Sequence, residues 1–216
     1  MTDSSQQILS ALGRCVGRDH SEARSMPPAF YTSSEFCDLE KTSLFRKQWI
    51  GLGRADQIPK PGDYFTVDLV GEPLIVVRGQ DSQINILSNV CRHRGSLIAE
   101  GTGTAKNFIC PYHAWSYATD GKLLRAPLIA ERSDFDVENC RLPRFACELW
   151  GGFIYVNLSN EAPPLVPQLA GLSELLTHYH MDDMLELHGE EDIWNTNWKC
   201  LVENFMEGYH LSSVHQ

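Results

Sequence analysis

Two short segments carry the residues best suited to chemistry. Cys91-Arg92-His93 and Cys110-Pro111-Tyr112-His113 are separated by 16 residues, and each offers one thiolate and one imidazole two or three positions apart. A [2Fe–2S] centre with two thiolates on one iron and two imidazoles on the other needs two such halves facing each other. Neutral imidazoles in place of thiolates lower the negative charge around the centre. That lifts its potential to roughly −150 to +300 mV. The rival is a Cys2His2 zinc site, which usually opens with two cysteines and closes with two histidines. Here the two residue types alternate, and the Cys-x-His step is tight for zinc. Gly95, Gly101 and Gly103 supply turn-forming positions around the loops.

A second constellation lies at the end of the sequence: Asn204, Glu207, His210 and His215. Mononuclear Fe(II) in oxygenases is held by two histidines and one carboxylate on one face, with positions left open for O2. Residues five apart on a straight helix point roughly 140° apart. For His210 and His215 to share a metal, the helix must bend or bulge, and Ser212-Ser213 is the expected place. Glu207-x-x-His210 also has the spacing of a di-iron carboxylate motif, which needs a second such pair that the sequence lacks. A solvated glutamate on a helix face is the bland alternative.

These residues need elements to position them. Residues 1–28 read as a loose arm ending at Pro27-Pro28. A helix then opens with Thr32 and Glu35 as a capping box, Tyr31 and Phe36 as its staple, and an apolar face of Phe36, Leu39, Leu44 and Phe45. After Trp49, β-type runs appear at 64–70, 74–78, 84–90 and 108–110, with turns at 71–73, 79–81 and 120–121. A strand at 152–158 closes this antiparallel domain, and 159–167 reads as a linker. Beyond it come a helix around 169–179, a strand at 185–195, and an amphipathic helix through Trp198, Leu201, Val202, Phe205, Met206 and Tyr209. The division is an arm and helix at 1–46, a β domain at 47–160 and the start of a further domain at 161–216.

The hydrophobic fraction of 43% and charged fraction of 21% are ordinary for a globular protein. A net charge of −10 without a basic stripe argues against nucleic acid and anionic membrane as partners. No stretch approaches the roughly 20 apolar residues of a membrane span. The early acidic residues Asp3, Asp19 and Glu22 do not suit a transit peptide, so a cytoplasmic protein is expected. Of the seven cysteines, Cys15, Cys37, Cys140, Cys147 and Cys200 read as buried free thiols. Trp194, Trp198, Phe205 and Tyr209 could include an aromatic wall for a cation, but core packing is the simpler reading for most of them.

Cys91-Arg-His93-Arg-Gly and Cys110-Pro-Tyr-His113-Ala-Trp resemble the cluster loops of the α subunit of Rieske non-haem iron oxygenases, the aromatic-ring-hydroxylating dioxygenase family. The similarity runs from about Phe30 to the last residue and includes the helix opening at Asn197-Trp198-Lys199. It implies an α+β chain: an antiparallel β Rieske [2Fe–2S] domain, followed by the first part of a helix-grip (START-like) catalytic domain. Cys91, His93, Cys110 and His113 match the cluster ligands, and His210 and His215 match the two iron-binding histidines. Asn204 falls near that iron. Glu207 matches the acid that links the two centres between subunits of a trimer, from the partner subunit's His113 to His210. A carboxylate between two metal-bound imidazoles accepts both ring N–H groups and fixes their tautomers.

Most members carry Asp at that place. Glu is similar to the subgroup acting on quaternary ammonium compounds such as carnitine and glycine betaine, and residues 203–210 fit that subgroup. The third iron ligand of the family is an Asp far downstream, and the sequence ends at Gln216 before it. Asp182 and Asp183 do not match its position. The resemblance thus implies a truncated terminal oxygenase component, of uncertain activity alone. It would use O2 and electrons passed from NAD(P)H by a separate flavin/iron–sulfur reductase. The net result would be hydroxylation and N-demethylation. Dihydroxylation of an aromatic ring and a cluster-only electron carrier are the alternatives.

Overall fold

The computed structural model describes the chain except residues 1, 2, 17, 18, 23, 128, 130–134, 160, 209, 215 and 216; of Asp3, His20, Ser212 and Ser213 it describes the backbone. In chain order, the first helices are α1 (Asp3–Gly13), α2 (Pro28–Thr32) and α3 (Ser34–Glu40). Strands follow: β1 (Ile50–Arg54), β2 (Asp63–Leu69), β3 (Glu72–Arg78), β4 (Ile84–Ser88), β5 (Thr102–Thr104) and β6 (Asn107–Ile109). Then come β7 (Ser116–Ala118), β8 (Leu123–Arg125), β9 (Arg144–Trp150) and β10 (Phe153–Asn157). The last helices are α4 (Leu165–Gln168), α5 (Ala170–Leu176), α6 (Trp198–Met206) and α7 (Leu211–Val214). Two compact units result, one of residues 45–188 and one of residues 1–44 with 189–216. They cut across the three segments read from the sequence. No helix among the described residues is long and apolar enough to cross a membrane.

The 45–188 unit is built on a seven-stranded antiparallel sheet, ordered β1-β10-β9-β4-β3-β2-β5, and a three-stranded sheet, β6-β7-β8. The β3–β4 hairpin is its centre. Leu74 to Val77 are fully buried, and all of β4 is buried. Successive side chains point to opposite faces. Ile75, Val77 and Leu87 therefore pack with Phe108, Tyr117 and Leu123 of the small sheet. Leu74, Val76 and Ile86 pack with Ile154 and Val156 of β10 on the other side. Burial on both faces explains why residues 74–77 read as a continuous apolar run rather than an alternating one. Val70 and Gly71, at φ 49° and 82°, make the two-residue β2–β3 turn, one position earlier than the sequence signal suggested.

After β10 the chain is tied back to the sheet. The Glu148 carboxylate accepts the Leu165 and Val166 N–H groups at the start of α4. Arg54 donates to Asp56 at 2.9 Å and to the Met181 carbonyl at 3.2 Å, and Asp56 accepts the Glu186 N–H at 2.7 Å.

Several expectations are corrected. The arm holds a helix, α1, with Ile8 buried. The helix start at Thr32 is displaced by one residue. Pro28 opens the short α2, the Thr32 hydroxyl donates back to the Pro28 carbonyl, and extended Ser33 caps α3 by accepting the Phe36 N–H at 3.2 Å. Residues 185–195 form no strand. Leu187 and Ile193 are almost fully exposed there, so neither a ladder partner nor a packing face holds the segment. The helix from Trp198 ends at Met206 because Glu207 is extended, at φ −110° and ψ 143°. The break thus falls before His210, and Ser212-Ser213 lies inside α7. Phe205 and Met206, read as core, stand exposed.

Candidate metal centre

The first loop leaves β4 and the second joins β6 to β7. The two share one backbone frame. The Cys91 carbonyl accepts the Gly95 N–H at 3.0 Å, and the Cys91 N–H donates to the Ser96 carbonyl at 2.9 Å. Likewise the Cys110 carbonyl accepts the Ala114 N–H at 3.0 Å, and the Cys110 N–H donates to the Trp115 carbonyl at 2.8 Å. Each frame turns on a residue of positive φ four places after the cysteine, Gly95 at 73° and Ala114 at 57°. The loops differ in histidine position, the second residue after Cys91 but the third after Cys110.

This frame puts the thiols inside and the imidazoles outside. Cys91 is 3% exposed and Cys110 2%, whereas His93 is half-buried and His113 exposed. The His93 and His113 rings stand edge to face with centroids 4.6 Å apart. His93 lies flat on Trp115 at 4.9 Å, and Tyr112 leans on His113 at 3.9 Å. Burial first, then the neighbouring His113 and Arg94, hold the His93 pKa below the usual imidazole range. A neutral imidazole has a lone pair to give.

The buried Nδ1 of His93 has no hydrogen-bond partner in the protein. Such an atom is costly unless it bonds to something, and coordination to a metal would satisfy it. Among the described residues no three His, Cys, Asp or Glu side chains are grouped to hold a single ion. A zinc site would need four around one point. A two-iron cluster divides its ligands into pairs, so two thiols below and two imidazoles above fit it better.

Residues that the motif search passed over hold the frame. The Tyr117 hydroxyl on β7 accepts the Arg92 N–H and reaches the Cys91 sulfur. Burial first, then the contact with Cys91, raise the Tyr117 pKa, so it stays a donor. Asn89 is 3% exposed; its Oδ1 accepts the Ile98 and Ala99 N–H groups and its Nδ2 donates to the Ala99 carbonyl at 2.8 Å. Asn89 follows two other buried polar residues, Asn85 and Ser88, so residue type alone did not single it out. All seven cysteines are free; the five outside the loops are half-buried rather than buried. Burial pushes the Cys147 thiol up to about 11.

At the other end of the chain, the Glu207 carboxylate pairs with His210 Nδ1. A carboxylate only accepts, so Nδ1 carries the proton and Nε2 is the nitrogen left for a metal. Asn204 is exposed on α6. His215 and Tyr209 lie outside the described residues.

Comparison with known proteins gives the site a context. Residues 48–145 match the Rieske [2Fe-2S] domain, and residues 176–216 match the ring hydroxylating alpha subunit (catalytic domain). The chain is 36% identical over 196 residues to the carnitine monooxygenase oxygenase subunit of Acinetobacter baumannii, covering 89% of this chain and 53% of that protein. It is 36% identical over 192 residues to the glycine betaine monooxygenase oxygenase subunit of Chromohalobacter salexigens, covering 88% and 43%. A crystal structure of a quaternary ammonium Rieske monooxygenase in complex with L-carnitine superposes with TM-score 0.83 at 35% identity, over 89% of this chain and 56% of that one. Naphthalene 1,2-dioxygenase from Rhodococcus sp. superposes with TM-score 0.85 at 26% identity, over 98% and 49%. The chain spans about half the length of the relatives it matches.

Proposed function

This chain belongs to the Rieske oxygenase α-subunit family, and from that premise we propose that it supplies the cluster domain and the beginning of the iron site of a terminal oxygenase. The reaction is hydroxylation of a carbon beside the nitrogen of a quaternary ammonium compound such as glycine betaine or carnitine. One oxygen atom of O2 enters the C–H bond, and the other leaves as water with two electrons and two protons. The hydroxylated carbon then parts from nitrogen as a carbonyl compound. The activities named for the relatives support this substrate class.

When bound, the [2Fe–2S] cluster supplies single electrons and the mononuclear iron activates O2. Cys91 and Cys110 would hold the cluster through their thiolates, and His93 and His113 through their imidazoles. Exposed His113 is available to a neighbouring subunit of a homotrimer. Glu207 fixes the tautomer of His210 and would also accept the ring N–H of the partner subunit's His113. His210 and His215 would hold the mononuclear iron, with Asn204 a further residue assigned to that site. A separate NAD(P)H-dependent flavin/iron–sulfur reductase feeds the cluster. Five free thiols outside the cluster loops suit a reducing compartment, the cytoplasm.

The observation that carries this reading is the His93–His113 pair above two buried cysteines on loops of one frame. Purified intact protein, its reductase and NAD(P)H should release carbonyl product from glycine betaine or carnitine. The match to naphthalene 1,2-dioxygenase keeps aromatic dihydroxylation as a second reading. Turnover of arenes alone would establish it instead. A cluster-only electron carrier would turn over neither.

A further inference from the structure

The 1–44/189–216 unit contains a second feature built for a cation. Lys199, in the first turn of α6, is 5% exposed, although lysine is among the residues least often buried. Its Nζ lies 2.9 and 2.8 Å from the two carboxylate oxygens of Glu40, itself 8% exposed. Three aromatic rings surround the same nitrogen: Phe30 at 4.6 Å, Trp198 at 5.4 Å and Phe36 at 5.7 Å from their centroids. The Trp198 indole N–H also donates to Glu40 at 3.3 Å. A carboxylate and several ring faces around one nitrogen are what proteins use to recognise alkylammonium ions.

We propose that Glu40, Phe30, Phe36 and Trp198 form an ammonium-binding box that Lys199 fills from within, and that filling it locks the N-terminal helices to the start of α6. The box joins elements about 160 residues apart in sequence. Neighbouring contacts run across the same junction. Asn197 caps α6 by accepting the Lys199 N–H and donates to the Tyr31 carbonyl at 2.9 Å. The Tyr31 hydroxyl donates to the Glu203 carboxylate at 3.0 Å. None of these contacts takes the ammonium, so the box is the part of the lock that depends on the cation. α6 leads directly into Glu207 and His210, so Lys199 and Glu40 are positioning residues for that end of the chain.

The test is chemical rescue in the intact protein. Lys199→Ala removes three methylene groups and the ammonium, and n-propylammonium is the missing piece. Amide exchange over residues 28–40 should quicken by on the order of 100-fold in the variant, as expected for a broken buried ion pair. Added n-propylammonium should restore protection saturably, while propan-1-ol and ammonium chloride should not. Wild type and Glu40→Gln should not respond to the amine. Unchanged exchange in Lys199→Ala, rescue by propan-1-ol equal to that by the amine, or no rescue at all would overturn the proposal. If Lys199→Ala does not fold, Lys199→Met and Glu40→Gln/Lys199→Met replace it. The double variant should melt higher than Lys199→Met alone, because it no longer buries an unpaired carboxylate. A double variant that melts no higher would contradict the box.

Discussion

The Tyr117 hydroxyl lies 3.3 Å from the sulfur of Cys91 and accepts the backbone N–H of Arg92 at 3.1 Å. Because it accepts from Arg92, its own proton is free to be donated to the sulfur. Such a bond strengthens when a bound cluster gains an electron and its thiolates become more negative. Tyr117→Phe should therefore lower the cluster potential, by about 60 mV if the bond favours the reduced state by about 1.4 kcal/mol. A redox titration followed by circular dichroism measures it. A potential that is unchanged or higher would show that the hydroxyl does not donate to the ligand.

Asn89 closes the first loop from below. Asn89→Ala removes one acceptor shared by Ile98 and Ala99 and one donor to Ala99. The cost should be about 1–2 kcal/mol, since the Ala99 N–H and carbonyl lose this partner while the Ile98 N–H keeps the residue-89 carbonyl at 3.2 Å. Iron bound per chain should fall with it, while the β3–β4 core, which makes no use of this side chain, stays folded. Full iron retention would mean that the loop is held by other contacts.

The two loops turn on residues of the same conformation but different type. Gly95 adopts φ 73° without strain, whereas Ala114 at 57° carries a Cβ in the left-handed region. Ala114→Gly should stabilise the protein by about 0.5–1 kcal/mol, the relief of strain outweighing the greater freedom of the unfolded chain. Denaturant unfolding reads the sign, and a loss of stability would contradict the frame described for this loop.

Asp63 ties the strand after the first loop. Its carboxylate accepts from the Thr104 hydroxyl at 2.6 Å and from the Lys60 N–H at 2.9 Å, and these bonds, Thr104 first, hold its pKa below the usual carboxylate range. A lowered folded-state value stabilises the protein above the unfolded value of about 3.9, and that contribution is lost as pH falls through the folded value. NMR titration of the Asp63 carboxyl carbon should show it ionised at pH values where exposed carboxylates have protonated. Titration in the ordinary range would contradict the Thr104 contact.

How much of this was legible in the sequence depended on the range of the interaction. The strands at 64–70, 74–78 and 84–90 were readable because β-type residues cluster there, and the structure moves their ends by at most two residues. Strands β1, β5, β7, β8 and β9 escaped; the three-residue ones give no periodicity, and all are held by their neighbours in the sheets. Cys91, His93, Cys110 and His113 were singled out by residue type and spacing alone, and the structure places them on two loops of one backbone frame. Tyr117 and Asn89 were not, because their roles appear only when β7 is laid beside the first loop. The helix from Trp198 had the right start, capped by Asn197, but its apolar pattern ran past a stop that Glu207 and Gly208 impose. Nothing in the sequence sets Lys199 apart, and only the fold brings Glu40 and Phe30 to it.

The central claim is that two thiolates and two imidazoles share one [2Fe–2S] cluster. Electron–nuclear double resonance on the reduced protein, carrying histidine labelled with nitrogen-15 at Nδ1, tests it most directly. Strong coupling to two histidine nitrogens is expected, with one lost in His93→Cys and the other in His113→Cys. A cluster without histidine coupling, couplings that survive both substitutions, or stoichiometric zinc in place of paired irons would contradict it.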